Sequence, residues 1–168
     1  MRDRSIIVAF VVLAACAGVV VVVYATRDMS WSGSPFGTAL GIPVPYSILA
    51  SGTHSSVTER KNYLITSTNH LRELWKLTNA DGSPPTVDFK IYHVLAVFTG
   101  TEPTAGYEIH ITHVADGSER MVSIQITVPG VSCLAAKPVT APYEIVQLPT
   151  TMLTYTHEDA VTTTSCLN

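Results

Sequence analysis

The chain holds six histidines and three cysteines, the residue types that most readily ligate metals or act as nucleophiles. His110 and His113 are three apart in a segment that alternates as a strand, a spacing that sets them on opposite faces. His54, His70, His93 and His157 have no partners at zinc-ligand spacing. All six read as solvated or hydrogen-bonded surface histidines, so neither a metal site nor a cofactor is expected. Cys133 could act as a nucleophile with a histidine. It follows Pro129-Gly130, however, and not the start of a helix that would lower its pKa. Asp88 and Glu59 are isolated carboxylates, and Asp88 suits a turn better than general acid work. No Gly-rich phosphate loop or dinucleotide fingerprint is present. No catalytic residue and no small-molecule substrate is expected, and the chain does not read as an enzyme.

The compartment follows from the N-terminus. Residues 6–25, IIVAFVVLAACAGVVVVVYA, carry no charge and are long enough to cross a bilayer as a helix. Arg2 and Arg4 precede the run, while Arg27 and Asp28 after it cancel. The positive-inside rule then keeps residues 1–5 in the cytoplasm and exports the rest. Tyr24 and Trp31 suit the outer interface. A cleaved signal is disfavoured by the valines at 19–23. A lipoprotein is the other alternative, because Leu13-Ala14-Ala15-Cys16 resembles a bacterial lipobox with Cys16 as the lipidation site. The chain stays apolar well past Cys16, which favours the uncleaved anchor. Either way the domain lies outside a bacterial cytoplasmic membrane. Disulfides persist there, so Cys133 and Cys166 are expected to pair. That bond would close a loop of about thirty residues and stabilise by roughly 3 kcal/mol on the chain-entropy model.

Residues 26–45 are rich in Gly, Pro and Ser and read as a flexible linker. An outer domain is expected over 46–168. Strands are predicted over 46–50 and 62–66, with a turn at Ser51-Gly52 and a hairpin over the polar stretch between them. Ser67, Thr68 and Asn69 can cap a helix. Leu71, Leu74 and Trp75 then lie on one face of a helix of about ten residues. It ends before Asp81-Gly82 and Pro84-Pro85. In 92–98 both alternating sets are apolar, as in a central strand. Residues 100–106 form a turn or protruding loop. Tyr107, Ile109 and Ile111 share a face, and Asp116-Gly117 marks a hairpin. Val122, Ile124, Ile126 and Val128 alternate up to Pro129-Gly130. The last strands are expected over 142–148 and 152–156. The fold class is α+β, mostly β: a twisted antiparallel sheet or incomplete sandwich with one short helix, behind a transmembrane helix. The net charge of −3 gives no phosphate-binding face, so no nucleic-acid partner is expected.

Residues 46–148 resemble the C-terminal domain of the PrcB family of protease-complex subunits. The landmarks are Gly52 and Ser55, Leu74-Trp75, Pro85 with Val87-Asp88-Phe89, and Val94-Leu-Ala-Val-Phe-Thr-Gly100. They continue with Pro103-Thr-Ala-Gly-Tyr107, Ile109 and Ile111, Pro129-Gly130, Cys133 and Pro142-Tyr143. Ala105 departs from the glycine usual at that position. The resemblance implies an envelope-associated, non-catalytic subunit of a protease complex. The stretch Glu102-Pro-Thr-Ala-Gly-Tyr107 is also similar to the Asn-Pro-Thr-Thr-Gly-Tyr loop of chagasin-type cysteine-protease inhibitors. Gly100, Glu102, Pro103, Thr104, Gly106 and Tyr107 are therefore the expected contacts to a protein partner, with a protease as one candidate. The alternatives are a protease inhibitor acting through the same loop and a structural envelope protein.

Overall fold

The structure, a computed structural model, describes residues 9–11, 22–24, 41–130, 133 and 138–165. It divides into two units, Met1–Thr38 and Ala39–Asn168. In the first, strand β1 (Ala9–Val11) pairs antiparallel with β2 (Val22–Tyr24), Ala9 opposite Tyr24. These six residues belong to the run expected as a membrane helix, and they are extended instead. Valine and phenylalanine favour strands, and only a hydrocarbon environment obliges such a run to close its own backbone bonds as a helix. Among the described residues no helix is long and apolar enough to cross a membrane. Cys16 lies outside the described residues.

The second unit is mostly β, with two sheets that do not close. One sheet contains β4 (Ser47–Gly52), β5 (Lys61–Ile65), β6 (Tyr92–Phe98) and β9 (Tyr143–Pro149), in the order β4-β9-β6-β5, all antiparallel. The other contains β3 (Ile42–Pro43), β7 (Glu108–Asp116), β8 (Arg120–Pro129) and β10 (Tyr155–Thr164), in the order β10-β8-β7-β3. Strand β3 falls within the Gly/Pro-rich stretch 26–45 and pairs with the end of β7.

The double apolar face of β6 decides the layering. Val94, Ala96 and Phe98 face helix α1 (Thr68–Trp75), packing with Leu71, Leu74, Trp75, Tyr143 and Ile145. Leu95 and Val97 face the other sheet, packing with Ile109, Ile111, Val114, Val122, Ile124, Val146 and Leu148. The β4-β9-β6-β5 sheet is thus covered on both sides, by the helix and by its companion sheet. Helix α1 starts at Ser67, whose hydroxyl accepts from the His70 amide at 3.4 Å. It is eight residues long, slightly shorter than its periodicity predicts.

Three expectations are corrected. The stretch between β4 and β5 is not a hairpin: β4 pairs with β9 and β5 with β6, and the connection crosses between them. Gly52 lies in β4 opposite Tyr143, not in a turn. The final strand runs to Thr164 and is parallel to β8, so the second sheet is mixed. The four threonines and Val161 in 155–164 suit an edge strand, but the polarity of the segment masks the alternation that would mark its length. The Asp116-Gly117 hairpin is present, with Asp116 opposite Arg120 across a three-residue loop.

Candidate protein-interaction site

The loop between β6 and β7 is built on glycines where side chains cannot go. Gly100 has φ +90°, and a Cβ there would stand 2.8 Å from the backbone of Thr58 and Glu59. Gly106 has φ +96° and packs against Pro129. Both conformations are those only glycine adopts without strain. Between the glycines the loop is tied to two neighbouring segments. The Thr101 amide donates to the Thr58 carbonyl at 3.1 Å. Glu102 and Thr140 exchange backbone hydrogen bonds of 2.8 and 3.1 Å, a one-residue antiparallel bridge. The Thr140 hydroxyl donates to the Thr104 carbonyl at 2.9 Å. At the base, the Thr99 amide donates to the Pro142 carbonyl at 3.1 Å.

This anchoring decides what the loop presents. Thr101, Pro103 and Gly106 are exposed; Glu102, Thr104, Ala105 and Tyr107 are half-buried; Gly100 is buried. The register of the Glu102–Thr140 bridge sets Pro103 opposite Val139, which is 58% exposed. Pro138 beside it is exposed too. The tip is therefore a small apolar ridge of Pro103, Pro138 and Val139, with Glu102 behind it. Burial raises the Glu102 carboxyl above its ordinary value. The hydrogen bonds to Thr58 and Thr140 fasten this exposed edge to the scaffold. Among the described residues no three His, Cys, Asp or Glu side chains group as a metal-ligand set.

The other residues that could carry chemistry are placed as follows. A bulge in β7 shifts the pairing between Ile111 and His113, so Thr112 and His113 both point outward while Ile111 and Val114 stay inside. His110 and His113 thus share the solvent face, contrary to strict alternation. His54 is within hydrogen-bond distance of the Thr53 hydroxyl, His93 of Tyr155 and His157 of Asp159. Asp88 accepts from the Lys90 amide at 3.0 Å, an Asx turn. Cys133 is buried at the same end as the loop, its sulfur 3.8 Å from the Thr164 carbonyl oxygen. Thr164 ends β10, two residues before Cys166, which lies outside the described residues.

Two buried charges escape sequence reasoning. Glu144, in β9, accepts from the Ile111 amide at 2.8 Å and stands 2.9 Å from His110 Nδ1. The Ile111 carbonyl takes the Tyr46 hydroxyl at 2.6 Å. Burial, with the Glu144 charge second, raises the Tyr46 pKa. Arg120 is 2% exposed and binds both oxygens of Asp116, the Pro149 carbonyl and the Tyr155 hydroxyl. The hydrogen bonds from Arg120 lower the Asp116 pKa. Burial, and then the Arg120 charge, lowers that of His93. Both clusters fasten one sheet to the other. A carboxylate inside the otherwise apolar YEIV of β9 is the one sequence signal for Glu144.

Comparison with known families bears on the same stretch. Residues 93–149 match the PrcB C-terminal family model. The match runs from within β6 to the end of β9 and contains the whole 100–107 loop. The landmarks before His93, from Gly52 to Phe89, lie outside it. No curated protein and no solved structure matches the chain.

Proposed function

We propose that the chain is a non-catalytic protein-interaction module, tethered to the outer side of a bacterial cytoplasmic membrane and associated with an envelope protease complex. The observation that carries this reading is the pinned, apolar-tipped loop 100–107 lying inside the PrcB C-terminal match. Rigid loops on a scaffold are where recognition concentrates, because little entropy is lost on binding. Gly100, Glu102, Pro103, Thr104, Gly106 and Tyr107 form the contact segment, with Pro103 at its tip and the others shaping it. The tether is residues 6–25 behind Arg2 and Arg4; lipidation at Cys16 is the alternative means to the same end. Cys133 and Cys166 pair in the exported protein, a reading supported by the Cys133 sulfur lying beside the end of β10.

A second reading, inhibition of a protease through the same loop, draws on the same rigidity. It requires that the purified chain slow peptide hydrolysis by the captured protease.

The test is capture of partners from detergent-solubilised membranes by the full chain, comparing wild type with Thr104→Arg. The wild-type chain should sediment with membranes and retain a partner. The variant should lose that partner with an unchanged melting temperature. Thr101→Arg, at an exposed side chain whose backbone bond survives the change, serves if Thr104→Arg unfolds. Retention of the partner by both variants, or wild-type chain found free of membranes, contradicts the proposal.

A further inference from the structure

Sheets in monomeric proteins guard their edges, because an open row of N–H and C=O groups will pair with any extended chain. Most edges here carry a guard. Strand β4 is broken by a bulge between Ile48 and Ala50. Strand β5 is five residues long and begins with Lys61. Strand β3 has two residues, one of them Pro43. Where β3 no longer covers β7, the Ile111 amide and carbonyl are taken by the side chains of Glu144 and Tyr46.

Strand β10 has none of these devices. It is ten residues long and in unbroken register with β8, Tyr155 opposite Arg120 through Thr164 opposite Pro129. It contains no proline, lysine or arginine, and four of its residues are threonine. Among the described residues its only strand partner is β8. Its inner face is held at the start and in the middle of the strand. Tyr155 bonds Arg120, and Arg60 grips both oxygens of Asp159 at 2.9 Å. Between β10 and β5 lies a cavity of about 140 Å³ lined by Leu64, Leu95, Val122, Ile124 and Tyr155.

We infer that the outer edge of β10 is a second binding surface, which takes up an extended, basic segment of a partner protein as an added strand. This surface is separate from the 100–107 loop and stands without it. Strand addition supplies main-chain bonds, and alternate side chains supply selectivity. Inward side chains of the added strand fill the apolar cavity. On the outer face a lysine or arginine meets Glu158, which is otherwise bonded to the Ser123 hydroxyl at 2.9 Å. His157, Glu158 and Asp159 in mid-strand favour this occupant over a second copy of the chain. In an antiparallel pair of two copies with Asp159 opposite Asp159, the two Glu158 side chains also stand on the diagonal, so carboxylates meet carboxylates.

The probe is a labelled peptide of the same length as β10, alternating lysine and valine, added to the full chain in detergent micelles. Fluorescence anisotropy reads binding, and hydrogen exchange reads where it occurs. The expected result is saturable binding with amide protection gained in 155–164. Glu158→Lys should weaken it about tenfold through like-charge repulsion with the peptide's lysine face, and Val161→Lys should do the same by setting a charge against the inward valines, with melting temperature unchanged. Thr104→Arg should leave it intact, which separates this surface from the loop. A peptide methylated on alternate backbone nitrogens keeps its charge and should not bind. Equal binding of that peptide, protection elsewhere than 155–164, or light scattering showing a dimer joined through β10 overturns the inference.

Discussion

Glu102 is the residue where burial and charge meet in the proposed contact loop. Its backbone is committed to Thr140, and its carboxyl is half-buried behind the ridge of Pro103 and Val139. Burial disfavours the ionised form, so the folded pKa lies above the ordinary 4.5. The unfolded chain then releases the proton at lower pH than the folded one. Stability is full below the ordinary value and is partly lost as pH rises through the folded pKa. Glu102→Gln removes this titration. It should raise the melting temperature at pH 7 and change it much less at pH 4, as followed by circular dichroism. An equal effect at both pH values would mean the carboxyl is not desolvated. At this scale the sequence is partly legible. Asp88 as a turn residue and Trp75 as core follow from local spacing. Glu144 and Arg120 do not, because their burial depends on which strand of the opposite sheet lies across from them.

Elements follow from local sequence more directly than their pairings do. The helix, β6 and the β7–β8 hairpin are set by local signals: a capping serine, a doubly apolar alternation and an Asp-Gly turn. The β7 bulge and the parallel β8–β10 pairing are set by long-range register, and single-sequence alternation carries no trace of either. The parallel pairing bears on the disulfide. It brings the ends of β8 and β10 to one place, where the Gly130 amide donates to the Thr164 carbonyl at 2.9 Å. The Cys133 sulfur lies beside the same carbonyl. A Cys133–Cys166 bond would lock the tip of β10 there. Intact mass of the exported protein should rise by two hydrogen atoms on reduction, and Cys166→Ser should melt lower. The loss should be on the order of 3 kcal/mol if unfolded-chain entropy dominates. Rapid alkylation of both thiols in the native, unreduced protein would contradict the pairing.

For the molecule as a whole, the two-sheet unit supplies the frame and, in the proposed function, the loop end supplies the contact surface. The frame resists shear through its two buried clusters, Glu144 with Ile111 and His110, and Arg120 with Asp116, Pro149 and Tyr155. The loop end gathers 100–107, Pro138, Val139 and the finish of β8 and β10. Composition and the alternation of single segments made the β-rich, helix-bearing class legible, and the absence of a nucleophile–base pair at useful spacing pointed to binding over catalysis. The division into two sheets was not legible, since it rests on β4 and β5 choosing distant partners over each other. The most direct test of the account is photo-crosslinking in intact cells, with Pro103 replaced by p-benzoylphenylalanine in the full chain. The account predicts one discrete crosslinked species joining the chain to an envelope protein of a protease complex. The same probe at Asp81, in the exposed turn beyond α1, should give none. Crosslinking at Asp81 but not at 103, or no species at either position, would contradict it.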